Sequence, residues 1–171
     1  MTPTVTRPSL DQIRSWLAEV PDPEVPAVSV MDLGIVRDVQ WQDDELVVAI
    51  TPTYSGCPAT SVIALDVEMA LRARGIDRLK VERRLSPPWT TDWITEDGRR
   101  KLEAYGIAPP AGKAQSPSPF DRFLRSTPPV IKCPRCGSDK TFRVSEFGST
   151  PCKAQYQCRD CLEPFDYFKC I

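Results

Sequence analysis

Two pairs of cysteines, "CPRC" at 133–136 and "CRDC" at 158–161, limit what the end of this chain can become. The pairs are separated by 21 residues, a spacing at which two tight turns meet and aim four sulfurs at one centre. A segment as short as 130–171 buries too little apolar surface to fold unaided, and thiolates closing on a divalent cation supply the missing free energy. Four sulfurs at about 2.3 Å suit Zn²⁺, with rubredoxin-like iron the chemical alternative. The runs "TFRVSEF", "KAQYQC" and "PFDYFKC" have strand character. The module therefore reads as a zinc ribbon whose structural ion is held by Cys133, Cys136, Cys158 and Cys161. Cys152 and Cys170 fall outside the pairs. If the strands flanking the second knuckle pair antiparallel, these two lie near each other at the far end of that hairpin, as packed thiols or as an auxiliary dithiol.

The rest of the composition narrows the chemistry. Among 171 residues there are seven cysteines and no histidine, which removes Cys-His and Ser-His catalytic pairs and mixed Cys/His metal sites. No run approaches the roughly 18 apolar residues of a membrane span, and residues 1–15 lack a signal-peptide layout. The expected compartment is cytoplasmic, where thiols stay reduced rather than forming a disulfide framework. Of the 22 basic and 23 acidic residues, 12 and 17 lie in 1–105 and 10 and 6 in 106–171. Neither half has the basic stripe of a nucleic-acid binder.

Ahead of the ribbon the pattern predicts a small α+β domain over 1–106, its helices packed on one sheet. Ser9 and Gln12 form a capping box before Leu10, Ile13, Leu17 and Val20 at helical spacing. Two strands follow, at Ile35–Trp41 and Glu45–Thr51, with one face of the second expected to be core. A helix from about Pro58 to Arg74 carries two apolar stripes, Val62–Leu65–Met69 and Ile63–Val67–Ala70, and is expected to be widely buried. Arg78–Leu85 alternates as a half-exposed strand. Thr95 caps a last helix ending at Gly106, and Trp89 and Trp93 are expected to staple this segment to the sheet domain. Residues 107–129, rich in Pro and Ser, read as a linker.

Cys57 stands alone in "TPTYSGCPATS", residues 51–61. Between Gly56 and Pro58 it is placed as the N-cap of the second helix, with Pro58 at N1. First-turn amides and the helix dipole would lower its pKa and make it a ligand or nucleophile at neutral pH. The other reading is a packed small residue.

"DPEVPAVSVMDLGIVRDV", residues 22–39, together with "TPTYSGCPA", residues 51–59, resembles the small domain shared by SufT-like and cytosolic iron–sulfur targeting proteins. The pattern maps onto Asp22, Pro23 and Glu24, onto Asp32, Leu33 and Gly34, and onto Cys57. Joined to the C-terminal cysteine module, nearly the whole chain is similar to the family of small accessory subunits of the bacterial phenylacetyl-CoA epoxidase (ring 1,2-monooxygenase) system. That resemblance implies a non-catalytic maturation role in phenylacetate degradation, with subunits of the epoxidase, especially its iron–sulfur reductase, as partners. Cys57 would then be a transient ligand for iron or an iron–sulfur cluster, with Asp22, Glu24 and Asp32 as helpers or as turn carboxylates. One sulfur cannot hold a cluster alone, so transfer would need a homodimer or a complex with the client. The competing reading is a zinc-ribbon module that binds protein or nucleic acid without moving metal. Thiol enzymology is a third, and it lacks a base.

Overall fold

The computed structural model describes residues 7–112 and 130–171, in two compact units that divide between Pro87 and Pro88. In the first unit, Ser9 caps helix α1 (Leu10–Leu17) by accepting the Gln12 N–H at 3.1 Å. Strand β1 (Val36–Gln42) turns through Asp43–Asp44 into the antiparallel β2 (Glu45–Ile50). Helix α2 (Thr60–Arg72) then crosses over to β3 (Leu79–Arg83), which lies parallel to β2. The sheet order is β1-β2-β3. Ile13 and Leu17 of α1, Ile63, Val67 and Leu71 of α2, and Leu46, Val48 and Ile50 of β2 are all buried.

Two expectations about this unit are corrected. Val47 and Ala49, on the other face of β2, are buried as well. Their strand neighbours are the longer Gln40, Lys80 and Glu82, and Lys80–Glu82 and Arg84–Asp38 ion pairs stand close by. Polar side chains on the neighbouring strands shield small apolar residues with their aliphatic stems. The second correction concerns α2, which buries only one of its stripes. Val62, Leu65 and Met69 are exposed.

The second unit has a four-stranded sheet in the order β4-β7-β6-β5. Its strands are β4 (Ile107–Ala108), β5 (Thr141–Ser145), β6 (Lys153–Cys158) and β7 (Pro164–Phe168). A 3₁₀ turn (Thr91–Trp93) and helix α3 (Glu96–Tyr105) precede β4. Thr95 caps α3 by accepting the Gly98 N–H at 2.9 Å, and Gly106 ends it at φ +96°. That left-handed turn suits glycine. Its open Cα also admits the Arg135 guanidinium, which a Cβ there would meet at 3.3 Å.

The expected boundary at 106 and linker from 107 differ from this division. Ile107 and Ala108 pair in parallel with Asp166 and Tyr167, so these residues belong to the ribbon sheet. Residues 113–129 of the expected linker lie outside the described residues. Trp89 likewise packs on Phe168, ring centroids 6.0 Å apart, within the ribbon unit. Among the described residues no helix is long and apolar enough to cross a membrane.

Candidate functional site

The loops that enter β1 and leave β2 emerge at the same end of the first sheet, because those strands are antiparallel. The Thr51 N–H donates to the Ile35 carbonyl at 2.8 Å and ties the two together. Each loop is shaped by its own carboxylate or threonine. Buried Asp22 accepts the N–H groups of Glu24 (2.9 Å) and Val25 (2.8 Å). Asp32 accepts the Ser29 N–H at 2.9 Å, while Ser29 Oγ accepts the Asp32 N–H at 3.0 Å, a reciprocal pair that closes the turn before left-handed Gly34. Both aspartates thus spend acceptor capacity on backbone amides. Glu24 is different: its charge acts on Cys57.

Cys57 is half-buried, neither entombed nor on an open surface. Its position departs from the sequence expectation in register. Helix α2 starts at Thr60 with Ala59 as N-cap and no side-chain cap bond. A turn precedes the helix, in which the Cys57 carbonyl accepts from Thr60 N–H (3.3 Å) and Thr60 Oγ1 (2.8 Å). The thiol is perturbed in the opposite sense to that expected. Burial pushes its pKa up, the Ala59 N–H pulls it down, and Glu24 pushes it up again. The hydroxyls of Thr60 and Thr53 pull it down, but the balance is upward. Thr53 and Thr60 are buried neighbours that sequence reasoning missed. The available signal was a threonine on each side of a lone cysteine where a strand gives way to a helix.

The second thiol cluster is closed. The sulfurs of Cys133, Cys136, Cys158 and Cys161 all lie within 4.8 Å of one another. Cys133 and Cys161 are 3.7 Å apart and Cys136 and Cys158 3.6 Å. A tetrahedron with metal–sulfur bonds of about 2.3 Å has edges of about 3.8 Å, so the donor set fits a four-thiolate metal. Left-handed backbone at Gly137 (φ +73°) and Leu162 (φ +63°) turns the chain after each pair. N–H groups aim at the sulfurs. The Cys161 N–H, against burial and with help from the Asp160 N–H, pulls the Cys158 thiol down to about 6. Cys161 moves the other way. Its Glu163 N–H contact pulls it down, but burial and the Cys136, Cys158 and Cys133 sulfurs push it up to about 12. Cys158 is therefore poised to ionise before Cys161, and a bound cation favours the thiolate form of its ligands.

Asp160 joins the knuckles, another contribution sequence reasoning did not find. Its carboxylate accepts from Ser138 Oγ (2.6 Å) and Lys140 Nζ (3.2 Å) of the first knuckle. These donors, Ser138 first, hold its pKa below the usual carboxylate range. Cys152 and Cys170 sit at the far end of the β6–β7 hairpin, where the Lys169 N–H donates to the Cys152 carbonyl at 3.0 Å. Both are free thiols with oxygen partners: Thr150 Oγ1 at 3.0 Å from Cys152, and Tyr167 Oη at 3.4 Å from Cys170.

This combination of parts has counterparts. The sequence model of the family described as iron–sulfur cluster assembly protein matches residues 10–82, and that of the PaaD zinc beta ribbon domain matches 117–169. The chain is thus an iron–sulfur-assembly-type α+β domain followed by a metal-binding β ribbon. Over 168 residues it is 45% identical to a 1,2-phenylacetyl-CoA epoxidase subunit of Escherichia coli (strain K12), covering 98% of this chain and 97% of the relative. It belongs to that family, the PaaD family. An Fe-S protein maturation auxiliary factor of Porphyromonas gingivalis (strain ATCC BAA-308 / W83) is 34% identical over 94 residues, which are 54% of this chain and 89% of the relative. Among solved structures, a DUF59 domain from Bacillus anthracis superposes with a TM-score of 0.50 at 27% identity, over 54% of this chain and 89% of that one.

Proposed function

We propose that this protein is a non-catalytic accessory factor of a phenylacetyl-CoA epoxidase system, and that Cys57 passes iron or an iron–sulfur cluster to a client, the system's iron–sulfur reductase. The observation that carries the reading is the setting of Cys57: a half-buried thiol with Glu24 acting on it and Asp22 and Asp32 bracing the loop that brings Glu24 there. A raised pKa keeps the bare thiol protonated at neutral pH and so unreactive. A bound cation reverses the balance. It displaces the proton to solvent, and the carboxylate that disfavoured a lone thiolate now favours the metal. Thr53 and Thr60 flank the thiol as hydroxyls that favour its anion, and Thr60 Oγ1 also ties down the Cys57 carbonyl at 2.8 Å. Held by one sulfur, the metal leaves readily for a client offering several.

The relatives support the reading through what is said of them, an epoxidase subunit in one case and an iron–sulfur maturation factor in the other. In the ribbon, the all-cysteine cage with no spare ligand position suits structural Zn²⁺ rather than catalysis. The test is a Cys57→Ser variant expressed with the cluster-free reductase. The expected outcome is reductase with at least roughly tenfold less cluster, read from its visible absorption and iron content. Reductase loaded to the normal level by the variant overturns the proposal.

A further inference from the structure

Helix α2 carries more apolar surface than its own sheet covers. Ile63, Val67 and Leu71 are buried, whereas Val62, Leu65 and Met69, at helical spacing on another face, are 46%, 54% and 60% exposed. Scattered exposed apolar residues are ordinary, but three large ones aligned on one helical face form the footprint of a partner. At 1.5 Å per residue the stripe runs for about 10 Å. It begins five residues after Cys57. At its other end Met69 opens into a groove of about 390 Å³ between α1 and α2, lined by Trp16 and edged by Asp66.

The charges around this face identify the occupant. Glu68 is paired with Arg72 at 2.8 Å, and Glu19 is paired with Arg74, whose guanidinium lies over the Trp16 ring at 5.5 Å. Asp66 forms no ion pair among the described residues, so it leaves one uncompensated carboxylate beside the apolar stripe. A second copy laid on the stripe about a two-fold axis would bring Asp66 towards its own equivalent, a like-charge contact that disfavours self-association. A helix with apolar anchors and a flanking Lys or Arg satisfies both features.

We infer that the α2 stripe is the docking site for an amphipathic helix of the client, with a basic side chain of that helix on Asp66. This rests on the reading of Cys57 as the transfer thiol and adds the surface that brings the client to it. Val62 is the stripe's first residue after Cys57, so a helix seated here presents the client next to the sulfur.

The test measures binding of the purified cluster-free reductase to the full-length protein by titration calorimetry, alongside the cluster-loading assay. For Leu65→Asp the expected result is binding weakened by roughly tenfold or more, as for loss of a central apolar anchor. Loading should fall with it, at an unchanged melting temperature and an unchanged Cys57 alkylation rate. Asp66→Lys should weaken binding, and rising salt should weaken it in the wild type. Cys57→Ser should leave affinity within about twofold of wild type while abolishing loading, which separates the two proposals. Three results overturn the docking site. One is Leu65→Asp binding the reductase like wild type. Another is wild-type protein sedimenting as a dimer that Leu65→Asp dissociates. The third is reductase binding that appears only after deletion of 113–129, which makes the chain itself the occupant.

Discussion

The amides that open α2 do not outweigh the burial of Cys57, and the charge of Glu24 adds to that burial. Alkylation proceeds through the thiolate, so a raised pKa means slow reaction at neutral pH and a rate that keeps rising through and beyond about 8.5, the ordinary thiol value. We expect iodoacetamide labelling of Cys57, followed by mass spectrometry, to show that profile, and Glu24→Gln to shift it to lower pH. A half-maximal rate below the ordinary value would contradict the balance of forces described for this site. The candidacy of Cys57 was legible from its glycine and proline neighbours. The sign of its perturbation was not. That sign depends on which side chains a distant loop brings close, and residues 22–24 lie more than thirty positions away in the sequence. Asp22 and Asp32 show the same limit: a carboxylate in a turn motif reads equally as ligand or brace until its backbone partners are located.

Among the elements, those with local determinants were readable. The Ser9 and Thr95 caps, the glycine stop at 106 and the alternation of β3 each follow from neighbours within a few residues. The faces of α2 were not readable, because periodicity counts apolar stripes but not how many of them the fold covers. The ribbon strands were found through the cysteines that organise them, and metal dependence should be concentrated there. Stripping the metal with a chelator is expected to speed hydrogen exchange across β5, β6 and β7 while β1, β2 and α1 keep their protection, as read by mass spectrometry. The basis is that Cys133 and Cys158 are themselves core residues, packed with Ile131, Ala154 and Phe165. Equal protection of the ribbon strands with and without metal would show that the cage is not what holds them.

For the whole molecule, the proline-rich stretch looked like a tether because composition marks where regular structure stops but not where the chain on either side is anchored. Ile107 and Ala108 join the ribbon sheet beside β7, and the Thr91 N–H donates to the carbonyl of Ile171 at 3.1 Å. Residues 88–112 and 130–171 are thus parts of one unit. The stretch between them leaves and re-enters the same body, so its integrity is dispensable for holding that body together. Limited proteolysis confined to 113–129 should give two bands on a denaturing gel but one peak on a sizing column, whereas fragments that separate under native conditions would refute the shared sheet. The covalent connection between the thiol-bearing domain and the body that holds the metal cage therefore passes through the few residues around 87, and a cut there, unlike one at 113–129, would release the two as separate pieces.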